Sequence, residues 1–203
     1  MKKIDFKKEY GELYFPSAKE AVIVDVPPMN FVTVSGTGNP NDNPAFQQSF
    51  EALYGVSYTL RFGLKKQSVA EYRVGPLEAL WWTDEAGGFS IESKEDWKWT
   101  VMVMQPDVVT RPHFDNAVAQ VREKRNPVAL PKVRFERFDE GLSAQVMHLG
   151  PYATEKPTIE RLHHYIKEHE YKLHGKHHEI YLGDPRRSAP EKLKTVLRQP
   201  MRR

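Results

Sequence analysis

Residues 22–38, "VIVDVPPMNFVTVSGTG", and residues 132–150, "KVRFERFDEGLSAQVMHLG", follow one pattern. Each has a stretch of apolar/polar alternation rich in β-branched and aromatic residues, then a turn, then a second such stretch ending on glycine (Gly36 and Gly150). Period-2 alternation bounded by turn residues predicts strands, so both segments are expected to be β-hairpins. One turn is built on Pro27-Pro28, the other on Asp139-Glu140-Gly141.

The two copies stay in step beyond the hairpins. A helix is expected after each. In the first copy Asn43 can cap it and Pro44 fills the first helical position, where a missing N–H costs nothing. Phe46, Phe50, Leu53, Tyr54 and Tyr58 then recur at helical spacing. In the second copy Thr154 is the expected cap, and Ile159, Leu162 and Ile166 form the stripe, with Tyr165 beside it. Two more strands follow each helix: 74–82 ("VGPLEALWW") matches 176–184 ("KHHEIYLGD"), and 98–106 ("KWTVMVMQP") matches 192–200 ("KLKTVLRQP"). Thr100-Val101 and Gln105-Pro106 answer to Thr195-Val196 and Gln199-Pro200. The offset between copies shrinks along the chain, as longer loops in the first copy would make it, among them a hairpin at Gly87-Gly88. "GTGNPN" (36–41) reads as a turn before the Asn43 cap rather than a phosphate cradle.

The expected architecture is therefore α+β: a duplicated β-β-α-β-β unit with pseudo-two-fold symmetry. Its antiparallel sheet is backed by two long helices, with a central ligand groove between the halves. One domain is expected over residues 1–203. The first repeat covers about 20–106, a connecting segment with a short helix (Phe114, Val118, Val121) about 107–131, and the second repeat about 132–200.

Aligning the copies sets Glu78 opposite Glu179, each a carboxylate inside an apolar strand. Alternation puts Glu179 and Tyr181 on one face, and Glu78, Leu80 and Trp82 together on one face. Each glutamate either meets solvent and pairs with a Lys or Arg, or looks into the groove. If the apolar partners face the helices, both look into it. A groove carboxylate near aromatic rings has its pKa raised toward the range of a general base. Trp81, Trp82, Trp97, Trp99, Tyr54, Tyr58, Tyr152 and Tyr181 supply the rings, which suit flat, cationic or electrophilic molecules.

Composition excludes several classes. The chain has no cysteine, so disulfides, thiolate metal sites and cysteine nucleophiles are ruled out. Eight histidines carry no metal-ligand spacing, so neither a metal nor another cofactor is expected. No hydrolase elbow motif and no helix-turn-helix pattern is present. The start of the chain lacks an apolar signal region, and no stretch approaches the roughly 18 apolar residues of a membrane span. A cytoplasmic location without membrane partners is expected. Net charge is +3, with a basic stretch from Asp184 onward that reads as solvated, so nucleic acid is not the expected partner. Oligomeric state is not legible.

"EGLSAQVMHLGPYATEKPTIERLHHYIKE", "HHEIYLGDPRRSAPEKLKTVLRQP", "GTGNPN" and "PLEALWW" together resemble the stand-alone GyrI-like (gyrase-inhibitor-like) small-molecule-binding proteins, over roughly residues 20–200. The resemblance implies a duplicated SH2-like β-α-β-β unit around a ligand groove. It also implies kinship with effector domains of multidrug-sensing transcription activators, in which a groove glutamate meets cationic aromatic drugs. Some stand-alone members hydrolyse cyclopropanoid genotoxins, a detoxification in which water opens a spirocyclopropane conjugated to a dienone. Glu179 and Tyr181 fall in the family's "EIY" motif, and Glu78, Trp81 and Trp82 in its "LE-x-x-WW" motif; Ala79 stands where many relatives have Gly. On this resemblance Glu179 or Glu78 activates water, Tyr181 or a water donates to the developing phenolate, and Trp81, Trp82, Trp99, Tyr54, Tyr58 and Tyr152 contact the ligand. The other readings are a binder that sequesters or senses drugs, and a gyrase-interacting protein.

Overall fold

The computed structural model describes residues 1–84, 96–184 and 187–203; the hairpin expected at Gly87-Gly88 and Pro185 of the turn closing "EIYLGDP" lie outside them. The chain runs β1 (Lys2–Ile4), α1 (Phe6–Glu9), α2 (Gly11–Tyr14), β2 (Val22–Val26), β3 (Met29–Thr37), α3 (Pro44–Lys66), β4 (Ala70–Tyr72), β5 (Leu77–Trp82) and β6 (Lys98–Gln105). It continues through α4 (Arg111–Lys124), β7 (Arg134–Phe138), β8 (Gly141–Leu149), α5 (Lys156–Glu168), β9 (Lys172–Leu173), β10 (His177–Tyr181) and β11 (Lys194–Arg202).

The main sheet is antiparallel and ordered β2-β8-β11-β10-β5-β6-β3-β7, with β9 beside the end of β11. Exchanging each strand for its counterpart in the other copy (β2 with β7, β3 with β8, β5 with β10, β6 with β11) and reversing the row returns the same order. That is the pseudo-two-fold, with its axis between β5 and β10.

The predicted hairpins do not form. β2 pairs with β8, and β7 pairs with β3, so each repeat lends its first strand to the other. Val26 and Met29 are linked by two prolines, a reach of about 11 Å at most, yet β2 and β3 stand near opposite ends of the row. The row must curl until those ends approach. Pro27-Pro28 is compatible with this exchange because proline donates no ladder hydrogen bond and favours an extended corner over a tight hairpin turn.

Helix starts differ in how well they were foreseen. Asn43 caps α3 through its side-chain oxygen, which accepts from Ala45 N–H at 3.0 Å, and Pro44 takes the first position. Thr154 does not cap α5: it ends a 3₁₀ turn (Tyr152–Thr154), its hydroxyl donates to Pro151 O at 2.8 Å, and Glu155 stands at the cap position instead.

α3 lies over β3 and β6, and α5 over β8 and β11, on one face of the sheet. Phe46 of α3 meets Trp81 and Trp99, while Ile159, Leu162 and Ile166 of α5 cluster with Leu197, Ala144 and Val146. β5 and β10 run between the two helices. α1 and α2 cover the opposite face, where Leu13 and Tyr14 are buried. No helix among the described residues is long and apolar enough to cross a membrane.

Candidate functional site

Directly opposed residues of an antiparallel pair share a face. Across the central pair, Glu179 opposes Ala79 and Glu78 opposes Ile180. The two glutamates therefore point to opposite faces, and the expectation of a shared groove is corrected. A one-residue difference in register is enough to do this, because it turns every side chain of a strand over.

Glu179 stands on the helix side. Its neighbour across β11 is Leu197, which packs under α5, and its neighbour across β5 is Ala79, beside the Trp81–Phe46 contact of α3. One of its oxygens accepts a hydrogen bond from a flanking residue of the same face, and the other lies near the second flanking residue. Tyr181 Oη donates to Oε2 at 2.5 Å, and His177 Nε2 lies 3.4 Å from Oε1. Trp81 Nε1 in turn donates to Tyr181 Oη at 3.3 Å. A chain of donors thus runs Trp81, Tyr181, Glu179, from the first copy of the repeat into the second. Burial, followed by the neighbouring Glu179 charge, holds the Tyr181 phenol well above its ordinary pKa, so it keeps the proton it donates. Glu179 remains 11% exposed at the side chain, so solvent reaches it.

The α5 side of this strip contributes the expected Tyr152 together with Glu155, Thr195 and His148, which the sequence reading missed. Tyr152 sets its ring edge against Tyr181, with centroids 5.4 Å apart. Glu155, at the start of α5, is buried, and its Oε1 has no hydrogen-bond partner. Burial, then the charge of Glu179, pushes its carboxyl up to about 9. Thr195 and His148 extend the row that begins at Tyr181. His148 Nδ1 lies 3.0 Å from Thr158 Oγ1, and burial lowers its imidazole below the usual value. Trp97 closes the α3 side, 5.2 Å from Trp81. A sign of Glu155 was available: an acidic residue at a helix start complements the helix dipole, but the neighbouring Thr154 took the cap assignment.

The remaining expected residues divide. Tyr54 is half-buried on α3 and leads into an aromatic ladder, Tyr54–Tyr58 and Tyr58–Phe62, whose outer members are exposed. Trp99 is on the helix side but wholly buried beneath Phe46; a Cβ on the opposing Gly36 would collide with its ring. Trp82 shares the face of Glu78, with Lys176 Nζ 3.6 Å above its ring.

Glu78 itself is 1% exposed, under α2. Tyr14 Oη donates to Oε1 at 3.0 Å, and His178 Nε2 lies 3.0 Å from Oε2. His178 Nδ1 reaches Glu140 at 2.9 Å, and Arg198 Nη1 donates to Glu140 at 3.0 Å. Burial alone would raise Glu140, but His178 and Arg198 overcome it and bring the carboxyl down to about 2. Burial alone would lower His178, but Glu140 and Glu78 raise it to about 9. Two acids and two bases therefore balance inside the protein, which is how buried charge is tolerated. Among the described residues no group of three His, Cys, Asp or Glu side chains is arranged to hold a metal.

The model of the GyrI-like small molecule binding domain family matches residues 19–201. An uncharacterized conserved protein from Listeria innocua superposes with a TM-score of 0.90 at 35% identity, covering 98% of this chain and 100% of that one. A hydrolase from Listeria innocua superposes with a TM-score of 0.85 at 34% identity, over 98% of this chain and 100% of that one. The EcmrR C-terminal domain shares the fold at 11% identity, with a TM-score of 0.56 over 91% of this chain and 98% of that one. No curated protein matches the chain significantly.

Proposed function

Because this chain belongs to the GyrI-like small-molecule-binding family, we propose that it takes planar aromatic or hydrophobic molecules on the strip of sheet between α3 and α5 and hydrolyses cyclopropanoid ones. The observation that carries this reading is the donor chain from Trp81 through Tyr181 to Glu179, in which the one reachable carboxylate of the central strands accepts from Tyr181 at Oε2 and has His177 Nε2 3.4 Å from Oε1. The likeness to a hydrolase from Listeria innocua at 34% identity supports the enzymatic part.

In this reading Glu179 is the general base. It takes a proton from water as the water oxygen attacks the strained methylene carbon. The ring C–C bond breaks, and its electron pair passes through the dienone to become a phenolate, which a donor in the site or solvent protonates. Net change is the addition of one water. The reacting centre is already strained and conjugated, so positioning plus one base supplies the catalysis. Trp81, Tyr152 and Tyr54 offer ring faces to the ligand, with Tyr58 at the outer end. Glu78 has no part in the chemistry, since both its oxygens are engaged under α2.

The test is turnover of a spirocyclopropane-dienone probe, followed by mass spectrometry. Glu179→Gln is expected to lose about 100-fold or more in rate, the usual scale for a removed general base, while still binding the probe. Full turnover in that variant overturns the assignment. A probe recovered unchanged from the unsubstituted protein makes the site a binding site without catalysis.

A further inference from the structure

Glu155 is not used by the reaction described above, yet it lies in the same cluster. It follows the 3₁₀ turn that carries Tyr152, whose ring rests on Tyr181, two residues from Glu179 on the same face. It is 6% exposed, and its Oε1 is buried without a partner. The groups that act on it are Glu179 and Tyr181 from β10, Thr195 from β11 and Tyr152 from the preceding turn; His148 of β8 and His177 of β10 stand against Glu179, and Arg161 and His163 project from α5 itself. Arg161 donates to Ala18 O rather than to Glu155, and burial brings His163 down to about 4, so that ring is neutral.

We propose that Glu155 is the second carboxyl of this site: it carries a proton while the site is empty and releases it when a cationic aromatic ligand lies against Glu155 and Glu179. The proposal rests on the small-molecule reading of the strip. Glu179, oriented by Tyr181 and His177, carries the negative charge; a second charge beside it in a dry setting is repelled, so the proton stays on Glu155. A ligand cation placed against both removes that repulsion. The carboxyl O–H bond then breaks, the proton passes to solvent, and two carboxylates face one cation. A neutral aromatic brings no such compensation and leaves Glu155 protonated as a hydrogen-bond donor. One site thus accepts two ligand classes, neutral and monocationic planar molecules, distinguished by whether a proton leaves.

Acridine and N-methylacridinium share a ring system and differ in charge near pH 8. Calorimetry of both, in two buffers of different ionisation enthalpy, reads the protons released. N-methylacridinium is expected to release close to one and acridine none. Since the Glu155 carboxyl is held up to about 9, N-methylacridinium affinity should climb by up to about tenfold per unit from pH 7 to 9, with acridine flat. Glu155→Gln should abolish the release and flatten the climb while leaving acridine affinity within about twofold.

Cation binding without proton release, or release that persists in Glu155→Gln, overturns the role of Glu155 and leaves the site standing. Failure of both probes to bind overturns the small-molecule reading itself. If Glu155→Gln does not fold, a carbon-13 NMR titration of the unsubstituted protein decides. A Glu155 carboxyl midpoint near 9 supports the proposal, and one in the ordinary carboxylate range overturns it.

Discussion

Each oxygen of Glu78 has its own donor, Tyr14 on one side and His178 on the other, and no solvent reaches either. Glu179, one strand away, keeps some exposure and faces a strip that the helices flank. These two residues look alike in sequence and stand on opposite faces of the sheet. Removing one partner of a buried, hydrogen-bonded charge costs about 1–3 kcal/mol, so Glu78→Gln should lower the urea unfolding free energy by that amount. Glu179→Gln loses the charged acceptor of Tyr181 but also relieves the repulsion with Glu155, so its loss should be the smaller of the two. Equal losses would contradict the assignment of one glutamate to structure and the other to the site. The type of each residue was legible, and so was the pairing of Glu179 with Tyr181 on one face. The face of Glu78 was not, because aligning the repeats by residue identity sets an odd offset, 101, between positions that the dyad relates through an even one.

At the scale of elements, the first eighteen residues are the part least visible beforehand. The strand and the two helices there are only three or four residues long, so neither strand nor helix periodicity is sustained. The structure fixes them by pairing β1 in parallel with β4 and by side-chain contacts: Tyr14 to Glu78, Arg198 Nη2 to Leu13 O at 2.9 Å, and Gln145 Nε2 to Glu12 O at 2.7 Å. Tyr14→Phe keeps the ring but removes the donor to a buried carboxylate. Hydrogen exchange should quicken across α1 and α2 by about fivefold or more while α3 is unchanged, the signature of local rather than global opening. Uniform change across the chain would instead mean that α2 unfolds only with the whole. Where caps follow local rules, as at Asn43 and Pro44, the sequence was sufficient. At α5 the backbone ran one residue further before turning helical, and that depends on how the 3₁₀ turn docks on Tyr181.

For the whole molecule, four wholly or partly buried groups set how stability varies with pH. Glu140 is brought down to about 2 from 4.5, so its contribution is complete above about pH 4.5 and is lost as pH falls toward 2. His178 is raised to about 9 from 6.5, so its contribution is complete below 6.5 and is lost as pH rises through 9. Glu155 keeps a proton that the unfolded chain gives up above about 4.5, so it lowers stability progressively from there to about 9. His163 is brought down to about 4 from 6.5, so it raises stability as pH climbs from 4 to 6.5 and offsets the fall from Glu155 there. Thermal melts between about pH 3 and 10 should therefore show a broad maximum from about pH 4.5 to 6.5 and fall on both sides. Glu155→Gln removes that offset, so its maximum should move to near pH 6.5 and its Tm should rise more at pH 8 than at pH 5. A flat profile would show that these groups are not held as the geometry indicates.

The sequence by itself determined the duplication, the α+β class, the apolar stripes of α3 and α5, and the motif that places Glu179 beside Tyr181. Those are local properties, written in periodicity and in the order of residue types. Only the tertiary structure decided that each repeat lends its first strand to the other, that Glu78 turns away from Glu179 beneath Tyr14, and that Glu155 comes to lie beside Glu179. Strand partners are chosen by long-range ladders, and a one-residue step in register changes which face a side chain sees without changing the alternation that a sequence displays.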